Sequence, residues 1–309
     1  MTNNLAITSE KRDGVLTVTA PSNIALIKYM GLSNHENKIP ANASLSYTIK
    51  KAVTTLKVSE NNEDLINVPL GKDRYQAFYK ILKNKFSIAG TYSINSENNF
   101  PSACGIASSA ASFAALTAAM ATLAQLELNE DIATLSRFGS GSACRSFFNG
   151  WVEWREDQVY QQAFPFNDLE HAVLLLDTSR KKISSSTAHK MVESSPNFKD
   201  RIINVEKRLK NLKYELINKN WQNAGLIIKE EYLDMHKLFK TCWQGFSYRS
   251  DLNQKIEGWC EQYNIIFGIG PWVTLDAGPN IHLLFQDKVQ KTHFLKEFSK
   301  KFPNIEVYQ

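Results

Sequence analysis

The sequence predicts two domains, each mixing β-strands with α-helices. Strand-length runs up to about residue 170 frame one long helix of small residues at 107–126. A fresh apolar strand at 172–177 is then followed by two long helical stretches, 196–216 and 221–231, which start a second unit near residues 170–180. The 309 residues, 43% of them apolar and 22% charged, suffice for two hydrophobic cores.

Residues 15–19 alternate as a strand, Ala20-Pro21 breaks the run, and residues 24–29 resume it as an apolar stretch. Residues 44–49 and 53–58 alternate as two further strands. Residues 73–85 put Tyr75, Phe78, Tyr79, Ile81 and Leu82 on one helical stripe, and residues 86–95 return as a strand. A short helix opens at Asn129 and runs to residue 135, and residues 147–153 and 158–162 read as strands. Within 265–285, strands flank Gly270-Pro271 and the turn Asp276-Ala277-Gly278-Pro279-Asn280.

The chemistry concentrates in two loops of small residues. Residues 99–112, NFPSACGIASSAAS, run straight into the alanine-rich helix, where backbone N–H groups and the helix N-terminus suit a phosphate. The order GxxxxGK[ST] is missing, so this is not the common nucleotide-binding P-loop. Residues 139–146, GSGSACRS, add the fixed charge of Arg145 among hydroxyls. The run VTL delivers Asp276 from a strand end, a rigid position for a catalytic carboxylate, although Asp beside Gly-Pro also reads as an ordinary turn. Ser184, Ser185, Ser186 and Thr187 read equally as a helix cap or a phosphate-facing turn.

A net charge of +5 favours anionic ligands, but the lysines are dispersed and no nucleic-acid-binding pattern accompanies them. Cys104, Cys144, Cys242 and Cys260 lack metal-ligand spacing and read as reduced packing residues. With the start MTNNLAITSEKRDG they set the expectation of a cytoplasmic protein. Residues 106–126 carry too many serines, threonines and alanines for a bilayer span.

The ordered set APSNIALIKYMG, IPANASLS, NFPSACGIASSAAS, GSGSACRSFFNGWVEW and LDAGPN resembles the diphosphomevalonate decarboxylases of the GHMP kinase superfamily, over nearly the whole chain. The resemblance implies an α+β, two-domain GHMP kinase fold. Residues 1–175 would form a domain similar to ribosomal protein S5 domain 2, and residues 176–309 a ferredoxin-like GHMP domain. The implied reaction uses ATP to phosphorylate the 3-hydroxyl of (R)-5-diphosphomevalonate, followed by loss of phosphate and CO2 to give isopentenyl diphosphate. Matched to the family's motifs, Asp276 is the catalytic carboxylate, Lys28 the cation beside it and Arg145 the holder of the substrate carboxylate. Asn23, Tyr29, Ser140, Ser142, Ser186 and Thr187 fall at substrate-binding positions, and Ser102, Gly105, Ser108 and Ser109 at positions for ATP. Mg2+ is implied as cofactor, with Ser108 the one protein ligand suggested. A phosphorylated mevalonate as the small-molecule partner and a homodimer are implied too, with no nucleic acid and no membrane.

Two departures bear on the substrate. The family commonly continues its first motif as YWGKRD, whereas here Leu32-Ser33 follow Gly31, with Lys38 a candidate substitute. The serine loop is followed by Ala188-His189-Lys190 where relatives often have Gly-Met. A phosphomevalonate decarboxylase, a mevalonate 3-kinase and a non-catalytic metabolite-binding protein therefore stay open at this level.

Overall fold

The computed structural model describes residues 4–69, 71–100, 108–177, 179 and 182–309. The first domain comprises β1 (Thr8–Arg12), β2 (Val15–Ile27), β3 (Leu32–Asn34), β4 (Ile39–Pro40), β5 (Ser44–Glu60), β6 (Leu65–Asn67), α1 (Lys72–Lys85), β7 (Tyr92–Asn98), α2 (Ser108–Leu123), α3 (Glu130–Leu135), β8 (Trp151–Arg155) and β9 (Gln158–Gln162). One sheet runs β1-β2-β5-β7-β6, with β8 joined to β5 and β9 to β8, while β3 and β4 form a separate hairpin.

The break expected at Ala20-Pro21 does not end a strand. β2 continues through it, and β5 joins the two strands expected at 44–49 and 53–58. Pro21 pairs with Val53 and Ser22 with Ile49, so Lys50, Lys51 and Ala52 bulge out opposite the proline. A bulge absorbs the ladder position that an imide nitrogen cannot fill. β5 then changes neighbour along its length, pairing with β8 at its start and β7 at its end.

Helix α2 is buried along most of its length, at Ala110, Ala111 and from Phe113 to Ala121, which is why most of its residues are small. It shares a core with α1 through Phe113, Tyr75 and Phe78, packed against Leu16, Val18, Leu56 and Val58 of the sheet. The strand expected from residue 86 begins only at Tyr92, after a turn in which Ser87 adopts φ 54°.

The second domain comprises β10 (Glu170–Leu175), α4 (Ser185–Met191), α5 (Phe198–Ile217), α6 (Trp221–Thr241), α7 (Asp251–Phe267), β11 (Trp272–Thr274), β12 (Ile281–Phe285), α8 (Lys288–Lys301) and β13 (Glu306–Tyr308). Its sheet is antiparallel in the order β11-β12-β10-β13. Residues 265–267, expected as strand, are the last turn of α7, which stops at Gly268 in the left-handed conformation (φ 70°). A short apolar run cannot by itself separate strand from buried helix. Between the domains, Ile24, Leu26, Tyr47 and Trp151 pack with Leu209, Leu212, Trp221 and Trp272 in one apolar cluster. Trp151 of β8 meets Trp272 of β11 edge to face across that junction, 6.2 Å between centroids.

Candidate active site

A cavity of about 430 Å3 opens between the two domains, and most of the residues singled out by sequence line it. Lys28 and Tyr29 follow directly on β2, Ser108 and Ser109 open α2, and Asp276 lies two residues beyond β11. Ser140, Ser142 and Arg145 sit at a tight turn of 3-10 helix, Gly141–Phe147.

Lys28 Nζ donates to Asp276 Oδ1 at 2.6 Å. The lysine side chain is 3% exposed and the carboxylate 27%, so the lysine lies behind and the carboxylate faces the cavity. Burial pulls Lys28 below the ordinary lysine pKa, against the pull of Asp276 and Glu231. Burial alone would raise Asp276, but the Lys28 charge and hydrogen bond, with His282 and Arg145, outweigh it and hold the carboxyl below its ordinary value. Asp276 is therefore an ionised acceptor at neutral pH, and Lys28, when protonated, can stabilise negative charge on an oxygen beside it.

Arg145 is 3% exposed. Its Nε–H donates to Asn23 Oδ1 at 3.3 Å and its Nη1 to Ser44 Oγ at 2.7 Å. Among the described residues no carboxylate comes within ion-pair distance, so the charge on the cavity wall is free to meet an anion. Asn23 also donates to the Ser142 carbonyl at 3.2 Å and to Ser146 Oγ at 2.8 Å, which ties β2 to the arginine turn. Its observed contacts orient Arg145. The two small-residue loops meet where Ser109 Oγ and Ser140 Oγ share a hydrogen bond of 3.2 Å. A Cβ on Gly141 would stand 2.2 Å from the Tyr29 hydroxyl, so only glycine lets Tyr29 reach over this turn.

Other positions fall elsewhere. Ser102, Gly105 and Cys104 lie outside the described residues. Ser184 Oγ caps α4 by accepting the Thr187 N–H, and Thr187, its hydroxyl bonded to Ser184, is not among the cavity-lining residues. Ser186 does line it. Leu32 donates its N–H to Glu193 Oε1 and Ser33 its hydroxyl to the Pro40 carbonyl, both outside the lining, as is Lys38. His35 pairs with Glu193, and Asp177 accepts the Ser179 N–H in a local turn. Burial pushes the Cys144 thiol up to about 12, as befits a packing residue.

Two further lining residues carry little or no signal in the sequence. Arg74, on the first turn of α1, donates to Ser186 Oγ at 3.1 Å and lies 5.2 Å above the Phe113 ring. Nothing local marks it, because an arginine on an exposed helix turn looks like solvated surface. His189 stacks on Tyr29 at 4.5 Å and accepts the Gly31 N–H on Nδ1, which leaves its proton on Nε2. Burial, with Arg74, Arg145 and Lys38 nearby, lowers it to about 4.

The donor set suits a nucleotide with Mg2+. The hydroxyls of Ser109 and Ser140 meet on the cavity wall, and Ser108 lines the same cavity. Among the described residues no three His, Cys, Asp or Glu side chains cluster as a metal cage. Such a site fits a hard cation whose remaining donors are phosphate oxygens and water.

The fold and this site define a two-domain enzyme of the GHMP kinase type, with a serine-lined cavity and a lysine–aspartate pair across the domain junction. The diphosphomevalonate decarboxylase-like N-terminal domain model matches residues 20–164, and the mevalonate 5-diphosphate decarboxylase C-terminal domain model matches residues 172–309. The chain belongs to the diphosphomevalonate decarboxylase family. It is 32% identical to the diphosphomevalonate decarboxylase of Saccharomyces cerevisiae, over 87% of this chain and 77% of that protein. A crystal structure of a mevalonate diphosphate decarboxylase from Legionella pneumophila superposes with a TM-score of 0.86 at 38% identity, covering 95% of this chain and 100% of that one. A relative solved with MVAPP, AMPPCP and magnesium has a TM-score of 0.84 at 28% identity, covering 96% and 99%. No helix among the described residues is long and apolar enough to cross a membrane.

Proposed function

We propose that this chain converts (R)-5-diphosphomevalonate and Mg-ATP to isopentenyl diphosphate, ADP, phosphate and CO2, with Lys28, Asp276 and Arg145 as its catalytic residues. The observation that carries the reading is the Lys28–Asp276 pair, its lysine buried, beside an arginine with no acidic partner among the described residues, in one cavity of this family's fold. Asp276 accepts the proton of the 3-hydroxyl as that oxygen attacks the γ-phosphorus and ADP leaves. Lys28 keeps the carboxylate ionised and steadies the charge on the attacking oxygen. Arg145 holds the substrate carboxylate in line with the bond to the 3-phosphate. When that phosphate departs, the electrons of the C–CO2 bond form the new double bond and CO2 is released.

Mg2+ would neutralise the clustered phosphate oxygens, and these oxygens, water and the Ser108 hydroxyl would hold it. Ser109, Ser140 and Ser142 bind phosphate or carboxylate oxygens, Tyr29 packs against the substrate, and Ser186 with Arg74 takes its phosphate end. Arg74 supports the diphosphate over the monophosphate, because it puts a third cation on the wall that Leu32 and Ser33 do not supply. On this reading the first domain ends between β9 and β10, since β10 pairs only in the second sheet. We place the protein in the cytoplasm as a homodimer; light scattering reads the oligomeric state.

The test is a mass-spectrometric product assay with Mg-ATP and mevalonate, 5-phosphomevalonate or 5-diphosphomevalonate. CO2 and isopentenyl diphosphate from the last substrate are expected. Decarboxylation confined to 5-phosphomevalonate, or accumulation of a 3-phosphorylated product, would overturn the assignment.

A further inference from the structure

Helix α6 touches the backbone of both members of the catalytic pair. Glu231 is fully buried, and its Oε1 accepts the Lys28 N–H at 3.1 Å. The same oxygen accepts Arg201 Nη2 at 2.5 Å, while Oε2 accepts Arg208 Nε at 2.6 Å. Arg201 in turn donates to the Lys28 carbonyl at 3.1 Å, and both arginines pair with Asp234. Just over a turn further on, His236 Nε2 lies 3.1 Å from the Asp276 carbonyl oxygen. A carbonyl only accepts, so the proton is on Nε2, and Nδ1 is buried without a hydrogen-bond partner.

We propose that α6 positions the catalytic pair, with Glu231 fixing the Lys28 backbone and His236 fixing the Asp276 backbone, so that one rigid helix sets their 2.6 Å contact across the domain junction. This inference rests on the reading of Lys28 and Asp276 given above. Neither Glu231 nor His236 lines the cavity; both act as positioning residues. A carbonyl and an amide held by one helix keep their separation when loops around the cavity move, and small misplacement of reacting groups is costly.

The charged and titratable groups facing Asp276 are Lys28 and Tyr29 just beyond β2, Arg145 from the 3-10 turn, His236 from α6 and His282 from β12. Lys28 is the largest of the influences that hold the carboxyl down. Release of the clamp therefore lets Asp276 rise, and the acid limb of the kcat–pH profile moves to higher pH.

The test compares His236→Leu, His236→Gln, Glu231→Gln and, as a control for the underlying reading, Asp276→Asn, in the full chain with Mg-ATP and 5-diphosphomevalonate. Glu231→Gln keeps the shape but turns an NH2 toward a donor in either orientation. For His236→Leu and Glu231→Gln we expect kcat to fall about 10- to 100-fold, with KM for 5-diphosphomevalonate little changed and the acid limb at higher pH. His236→Gln, which retains an N–H near the same place, restores most of kcat. If Glu231→Gln does not fold, His236→Leu with its glutamine rescue is the deciding comparison. Wild-type kcat in folded His236→Leu, or a lower kcat with an unmoved acid limb, overturns the clamp while leaving the catalytic reading intact. A fully active Asp276→Asn overturns the catalytic reading, and the clamp with it.

Discussion

Arg145→Lys keeps a positive charge in the cavity and removes only the planar fork. A guanidinium carries five N–H donors, of which two are taken by Asn23 and Ser44, leaving three for a ligand. A lysine ammonium has three in all, so once Asn23 and Ser44 are satisfied only one remains and a bidentate grip on a carboxylate is impossible. Losing one charge-assisted hydrogen bond costs about 1.5–3 kcal/mol. That is roughly a 10- to 150-fold fall in kcat/KM. The assay is steady-state ADP and CO2 release measured together, varying 5-diphosphomevalonate and ATP separately. The loss should fall on kcat/KM for 5-diphosphomevalonate while KM for ATP holds. ADP should exceed CO2, because a loosely held carboxylate no longer aligns its C–C bond with the departing phosphate. A folded Arg145→Lys enzyme with wild-type kcat/KM and one CO2 per ADP would refute the role given to Arg145. So would a loss confined to ATP.

Gly141→Ala should press a methyl group against the Tyr29 hydroxyl, 2.2 Å away. We expect a destabilisation of about 1–3 kcal/mol in urea unfolding, together with reduced turnover. Arg74→Gln should raise KM for 5-diphosphomevalonate about tenfold and KM for 5-phosphomevalonate less, read by the same coupled assay. Stability should fall on acidification through the ordinary histidine range. His189 is lowered to about 4 and His236 to about 3, burial being the main cause in both. The unfolded chain binds these protons at the ordinary histidine pKa and the folded chain does not. The stabilisation present above about pH 6.5 is therefore lost as pH drops toward those values, by at most about 1.4 kcal/mol per pH unit for each histidine. Urea midpoints at pH 7.5 and pH 5 check this, with equal midpoints counting against it.

Several elements were legible because their signal is local. Asn129 accepts the Ile132 N–H as the cap of α3, and the serine at 184 caps α4 in the same way. The small residues of α2 announced a helix rather than a bilayer span, and α2 is that helix. The run through Pro21 misled, since a proline marks a break only until a bulge on the neighbouring strand accommodates it. Residues 265–267 misled because a short apolar stretch fits either period.

For the site, the chain order alone determined which chemistry was stored where: a lysine after one strand, an arginine among serines, an aspartate in a Gly-Pro turn. What the tertiary structure alone decided is their juxtaposition. Lys28 and Asp276 meet across 248 positions of chain, and Arg74 reaches Ser186 across 112. The Glu231 carboxylate under Lys28 and the imidazole behind Asp276 looked like ordinary helix residues until α6 was docked against β2. Local propensity depends on a residue's immediate neighbours. The pKa of a carboxylate and the aim of an arginine depend on burial and on charges a few ångströms away, and only packing two domains together supplies those.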